Sequence, residues 1–65
     1  MRNWLINCRK RKGLSQTELA KRAGISQPSY CAIEKSKTTP RPATAKRIAH
    51  ELGFDWTKFF NDKGA

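Results

Sequence analysis

The side chains of this 65-residue chain that could hold a metal or attack a substrate are few: Cys8, Cys31 and His50. Together they offer at most three ligands, none at the CxxC or HxxxH spacing of a structural zinc site, so no metal is expected. No nucleophile-base-acid arrangement is indicated around His50, which is expected to be partly exposed. The two cysteines stand far apart and are expected to be buried small hydrophobes rather than a disulfide. What remains is electrostatic chemistry. Lys and Arg number 14 against 5 Asp and Glu, so the net charge is 14 − 5 = +9, and the pI is near 10.3. That charge suits nucleic acid, an acidic protein or an anionic membrane.

The placement of charge says more than its sum. Residues 1–12 hold five basic groups and no acid, and residues 35–47 hold another five and no acid. The acids are set where they can cap helices (Glu18, Asp55), pair internally (Glu34), or lie beyond residue 50. The length allows one domain, which buries roughly 60% of its unfolded surface and has little room for both a core and a large pocket. An enzyme, a cofactor and a small-molecule ligand are therefore not expected. No run approaches the roughly 18 apolar residues of a membrane span. Trp4-Leu5-Ile6 is too short for a signal-peptide core, so a cytoplasmic protein is expected.

The elements that must position these charges are helical. Valine is absent and no alternating run supports a strand. Residues 3–12 form a first helix, with Leu5, Cys8 and Arg9 spaced i, i+3, i+4 and Gly13 as its stop. Ser15 caps a second helix, and Glu18 three residues later completes a capping box, with Leu14 and Leu19 at the staple positions. That helix ends at Ala23-Gly24. Ser26 caps a third, whose first turn tolerates Pro28 because the missing amide has no intrahelical partner there. Tyr30 and Ile33 face inwards. Lys35 to Arg41 is a basic loop, and Pro42 or Ala43 opens a fourth helix with Ala45, Ile48, Ala49 and Leu52 on one face. Asp55 caps a short fifth helix carrying Trp56, Phe59 and Phe60, followed by a flexible tail from about residue 61 to 65.

Two helices joined by a short turn around Gly24, with Ala20 allowing close approach and Ile25 pinning the turn, have the layout of a helix-turn-helix over about residues 15–34. In that layout the second helix enters the major groove of DNA. Gly13-Leu14-Ser15-Gln16-Thr17-Glu18-Leu19-Ala20, Gly24-Ile25-Ser26-Gln27, Ile33-Glu34, Ile48-Ala49 and Leu52-Gly53 together resemble the Xre family of Cro and C1 repressor-like proteins, over about residues 4–60. The resemblance implies an all-α, five-helix, lambda-repressor-like DNA-binding domain. It also implies a homodimer acting on a pseudo-palindromic double-stranded operator.

Carried over residue by residue, the resemblance places Ser15 and Gln16 at the start of helix two, where Gln16 contacts a phosphate or a base at the groove edge. Ser26 and Gln27 become the cap and first residue of the recognition helix. Gln27 is then the residue for direct readout, since glutamine can bond adenine N6 and N7 at once. Pro28, Ser29 and Ala32 take the other base-facing positions, and Lys35, Lys37, Thr38 and Arg41 fall in the loop that runs along the backbone. Where relatives carry long polar side chains this chain has Pro28, Cys31 and Ala32. Modest direct readout and a larger share from phosphates and DNA shape are therefore expected. Tyr30 puts a bulky ring and a hydroxyl needing a partner under the helix. Spacing alone leaves Arg9 and Glu34 solvated; the resemblance pairs them, bridging helix one to the end of helix three.

Among the remaining charges, Arg9-Lys10-Arg11-Lys12 reads either as a solvated face or as added phosphate contacts, and Lys46 and Arg47 face solvent. Trp4 and Trp56 are packing residues. Trp56, Phe59 and Phe60 exceed what a short helix needs for its own docking, so part of that surface could form a dimer seam. The leading expectation is a small Cro-like repressor of a phage or mobile element, working by operator occupancy without a separate effector domain, in a bacterial cell or phage-infected host. A restriction-modification controller protein and an antitoxin share the fold. A membrane-active cationic peptide would need a long basic amphipathic helix, which this glycine-broken chain lacks.

Overall fold

A capping box opens the second helix of the computed structural model, which describes residues 1–61. The Ser15 hydroxyl accepts from the Glu18 backbone N–H and the Glu18 carboxylate accepts from the Ser15 N–H, satisfying two orphan donors reciprocally. The helices are α1 (Asn3–Arg11), α2 (Gln16–Ala23), α3 (Gln27–Glu34), α4 (Pro42–Leu52) and α5 (Lys58–Asn61), with no strand among the described residues. At the start of α3, Ser26 accepts from the Ser29 N–H, and Pro28 sits in the first turn. Residues 62–65, most of the expected tail, lie outside the described residues, while Asn61 ends α5.

The four longer helices end in one way. After each, a residue turns left-handed and the amide beyond it reaches back to a carbonyl of the last turn, closing otherwise unpaired acceptors. Three of these positions are Gly13, Gly24 and Gly53; the fourth, after α3, is Ser36 at φ 62°. There the Ser36 N–H bonds the Ile33 carbonyl and the Lys37 N–H bonds the Ala32 carbonyl. A side chain in this conformation costs about 1–2 kcal/mol, and the Ser36 hydroxyl oxygen is buried with no hydrogen-bond partner. Ser36→Gly is therefore expected to stabilise the domain by about 1 kcal/mol net, after the larger unfolded-state entropy of glycine is subtracted. Urea melts would check this; a loss of stability would show that the serine is not strained.

The apolar faces of the helices meet in one core. Leu5 of α1, Leu19, Ala20 and Ala23 of α2, and Tyr30 and Ile33 of α3 are buried together with Ala45, Ile48 and Leu52 of α4 and Phe59 of α5. The small Ala20, Ala23 and Ala45 let α2 lie against both α3 and α4, and α1 leans on α3. At the far end Trp4, Phe54 and Phe59 stack edge to face, with ring centroids 5.1–5.5 Å apart. Cys8 and Cys31 are free thiols, half-buried rather than buried.

The last helix starts later than the sequence suggests. Asp55 spends one carboxylate oxygen on the N–H and hydroxyl of Thr57, a turn two residues long. That leaves Trp56 in the turn ahead of α5, against the expectation that the helix carries it. Trp56 lies edge-on to Phe60, and the Lys46 ammonium sits 5.0 Å above its indole.

Candidate nucleic-acid interface

Glu34, the last residue of α3, is 2% exposed and is the hub of the site. Its Oε2 accepts from Arg9 Nε at 2.7 Å and from the Tyr30 hydroxyl at 2.6 Å, and its Oε1 accepts from Gln16 Nε2 at 2.8 Å. Arg9 also donates to the Leu14 carbonyl at 2.8 Å, so one guanidinium ties α1 both to the turn before α2 and to the end of α3. Burial alone would push the Glu34 carboxyl up. The hydrogen bonds from Arg9, Tyr30 and Gln16, with the Arg9 charge, outweigh burial and hold it below the ordinary carboxylate value. Burial, reinforced by Glu34, pushes the Tyr30 phenol up, so it stays a donor.

The expected Arg9–Glu34 pair is present, and it is one arm of a larger network. The hydroxyl that Tyr30 had to satisfy goes to Glu34, four residues on and on the same helix face. Gln16 is only half-buried, and its carboxamide is engaged on both sides. It donates to Glu34 and accepts from Gln27 Nε2 at 2.8 Å. The residue expected to reach outwards from the start of α2 therefore faces inwards with part of its amide, because a buried carboxylate needs a third donor. Gln27, half-buried at the start of α3, keeps its Oε1 and second N–H beyond this bond.

Beside the glutamines, α3 and the following loop line an open groove of about 610 Å³. Pro28, Ser29 and Ala32 form one wall and Thr38 and Arg41 belong to the other, so five of the expected contact positions are gathered there. Ser15 and Ser26 are exposed at the two helix starts, and the Ser26 hydroxyl bonds that of Ser29 at 2.9 Å. Lys35, Lys37 and Arg41 are exposed along the loop. Over the turn between α2 and α3, a Cβ added to Gly24, itself at φ +75°, would fall 2.8 Å from Arg47 Nη1, so this glycine also makes room for a cation.

Sequence reasoning missed Arg2. Its guanidinium is buried, donating to the Ile33 carbonyl at 2.6 Å and the Thr38 carbonyl at 2.9 Å, and it lies 5.6 Å from the centre of the Phe59 ring. Its own N–H bonds the Glu34 carbonyl. A cation here neutralises the carbonyl end of α3 and fastens the loop that follows. No local signal marks it, since its partners stand 31 and 36 residues away. Arg2 and Arg9 therefore serve the fold, and of the first basic cluster Lys10, Arg11 and Lys12 remain exposed. Lys46, Arg47 and His50 are exposed, as expected, and Arg22 pairs with Glu51 at 3.2 Å. Among the described residues no His, Cys, Asp or Glu cluster could hold a metal, and no helix is long and apolar enough to cross a membrane.

A short capped helix behind a tight glycine turn, with polar amides at its exposed start and cations on the following loop, defines a helix-turn-helix DNA-binding domain. A helix-turn-helix family model matches residues 5–59, and the chain belongs to that family, the Xre (Cro/C1-type) DNA-binding proteins. An HTH-type transcriptional regulator of Bacillus subtilis, YqaF, is 45% identical over 62 residues, covering 95% of this chain and 82% of that protein. A second HTH-type transcriptional regulator, from Methanothermobacter thermautotrophicus, is 42% identical over 53 residues, 82% of this chain and 77% of its own. Antitoxin HigA1 of Mycobacterium tuberculosis is 44% identical over 48 residues, 74% of this chain but 32% of that protein. No solved structure matches the chain significantly.

Proposed function

We propose that this protein is a sequence-specific DNA-binding repressor of the Cro type, a homodimer that occupies a pseudo-palindromic operator and excludes RNA polymerase without a ligand. The observation that carries this reading is the start of α3, where Gln16 holds Gln27 next to Pro28, and the groove that Pro28, Ser29 and Ala32 line also takes in Arg41 of the loop on which Lys35 and Lys37 are exposed. Residues 27–33 carry no charge. Neutral groups then face the bases while Lys35, Lys37 and Arg41 grip phosphates, and Ser15, Ser26, Ser29 and Thr38 add hydroxyls to the same surface. The half-exposed Phe60 (44%), stacked on Trp56 and next to the core residue Phe59, supports a dimer seam at that end of the molecule.

Selection of bound duplexes from a random pool tests the proposal. Two inverted half-sites about 10–10.5 base pairs apart are expected, the spacing that places two recognition helices on one face of DNA. Failure to enrich any motif would transfer weight to a protein-binding role. The antitoxin is matched over only 32% of its length, and co-purification with a second polypeptide is the mark of that second reading. Within the first reading, Gln27→Ala is expected to relax preference at one base position by about 1–3 kcal/mol, whereas Lys37→Ala weakens all sequences about equally. Competition assays against single-position variants separate the two. If both substitutions changed only the common affinity, Gln27 would lose its role.

A further inference from the structure

We propose that the buried Glu34 decides which base Gln27 accepts, by setting the polarity of two successive carboxamides. The inference rests on the reading of Gln27 as a base-contacting residue. A carboxylate can only accept hydrogen bonds, so Gln16 must turn its Nε2 towards Glu34 Oε1, 2.8 Å away. Its Oε1 then faces Gln27 and can only accept, which draws Gln27 Nε2 to it at 2.8 Å. Gln27 is left with its Oε1 and one N–H, an acceptor and a donor, the pair that adenine matches with N6–H and N7. With the chain reversed, Gln27 would give its oxygen to Gln16 and turn two N–H donors outwards. Guanine, with O6 and N7 both acceptors, suits that arrangement.

Nothing in Gln16 or Gln27 alone selects between the two orientations, because a carboxamide is nearly symmetric in shape. The asymmetry enters at Glu34. There Arg9 and Tyr30 occupy Oε2 and keep the carboxylate charged, and Oε1 is given to Gln16. Glu34 is thus a positioning residue, acting on the base through two side chains.

The test uses the whole chain and synthetic duplexes carrying the selected sequence, with A·T or G·C at the position that Gln27→Ala identifies. Binding is followed by fluorescence anisotropy for the wild type, Glu34→Gln and Gln16→Leu. Loss of stability in a variant multiplies both affinities by the same folded fraction, so the ratio between duplexes reports positioning alone. The wild type is expected to prefer adenine by about tenfold or more. Gln16→Leu is expected to bring that ratio below about threefold, because leucine transmits no polarity. Glu34→Gln is expected to shift it towards guanine, because Arg9 and Tyr30 hold the new amide oxygen and its N–H then donates to Gln16. If Gln27→Ala abolishes the preference while Glu34→Gln keeps it in full, the relay is overturned and base reading by Gln27 stands. A wild-type preference for a base other than adenine overturns the assigned polarity. Absence of any preference overturns the reading of the site itself.

Discussion

Glu34→Ala is expected to cost about 3–5 kcal/mol, the range seen when one member of a buried charged pair is removed. A domain of this size holds about that much stability in total, so the variant should be largely unfolded at neutral pH. The cost has a specific source. Arg9, Tyr30 and Gln16 share this one carboxylate, and its loss leaves Arg9 Nε and the buried phenol without their acceptor, Arg9 keeping only its bond to the Leu14 carbonyl. Glu18→Ala removes a carboxylate that closes an exposed capping box, and its loss should be far smaller. Urea melts of the two variants decide the matter, and equal small losses would remove the network from the account. The pH dependence follows with the same sign. A carboxyl held below its ordinary value of 4.5 contributes fully above that value and loses its contribution as pH falls through the lower folded one. Stability should therefore fall below about pH 4.5, and Glu34→Gln should flatten part of that limb.

The second large effect is on DNA affinity. With about 4–6 phosphate contacts per subunit, binding by a dimer should weaken at least a thousandfold between 50 and 200 mM salt. Arg2 and Arg9 do not enter that sum, since both are consumed inside the fold. The cations placed to enter it first are those exposed on the loop, Lys35, Lys37 and Arg41, and Lys10, Arg11, Lys12 and Arg47 are among the other exposed cations. Filter binding across a salt series measures the slope, and a slope near zero would exclude groove binding of this kind.

Helix starts and stops were readable along the chain because their causes are local. Ser15, Glu18 and Ser26 act over three residues, and Gly13, Gly24 and Gly53 act at their own φ. Ser36 escaped notice because a serine rarely takes a glycine's conformation, and only the backbone bonds around it demand it. The late start of α5 escaped for a similar reason. Asp55 could cap a helix or close a turn with Thr57, and its sequence neighbourhood suits both.

Residue order along the chain was enough to define five helices, a helix-turn-helix and a chain of charges flanking a neutral recognition helix. Those features depend on side chains within about one helical turn of each other, where spacing and contact are nearly the same thing. Folding in three dimensions settled which of those charges remain for a partner. Arg2 reaches across 31 and 36 residues to the end of α3 and its loop, and Arg9 across 25 to Glu34. Gln16 turns inwards to the same carboxylate across 18. A buried carboxylate needs donors on both its oxygens, and two of the three that Glu34 finds, on Arg9 and Gln16, are distant in sequence. The +9 net charge is a property of the sequence; its division between fold and exposed surface is a property of the packing around Glu34.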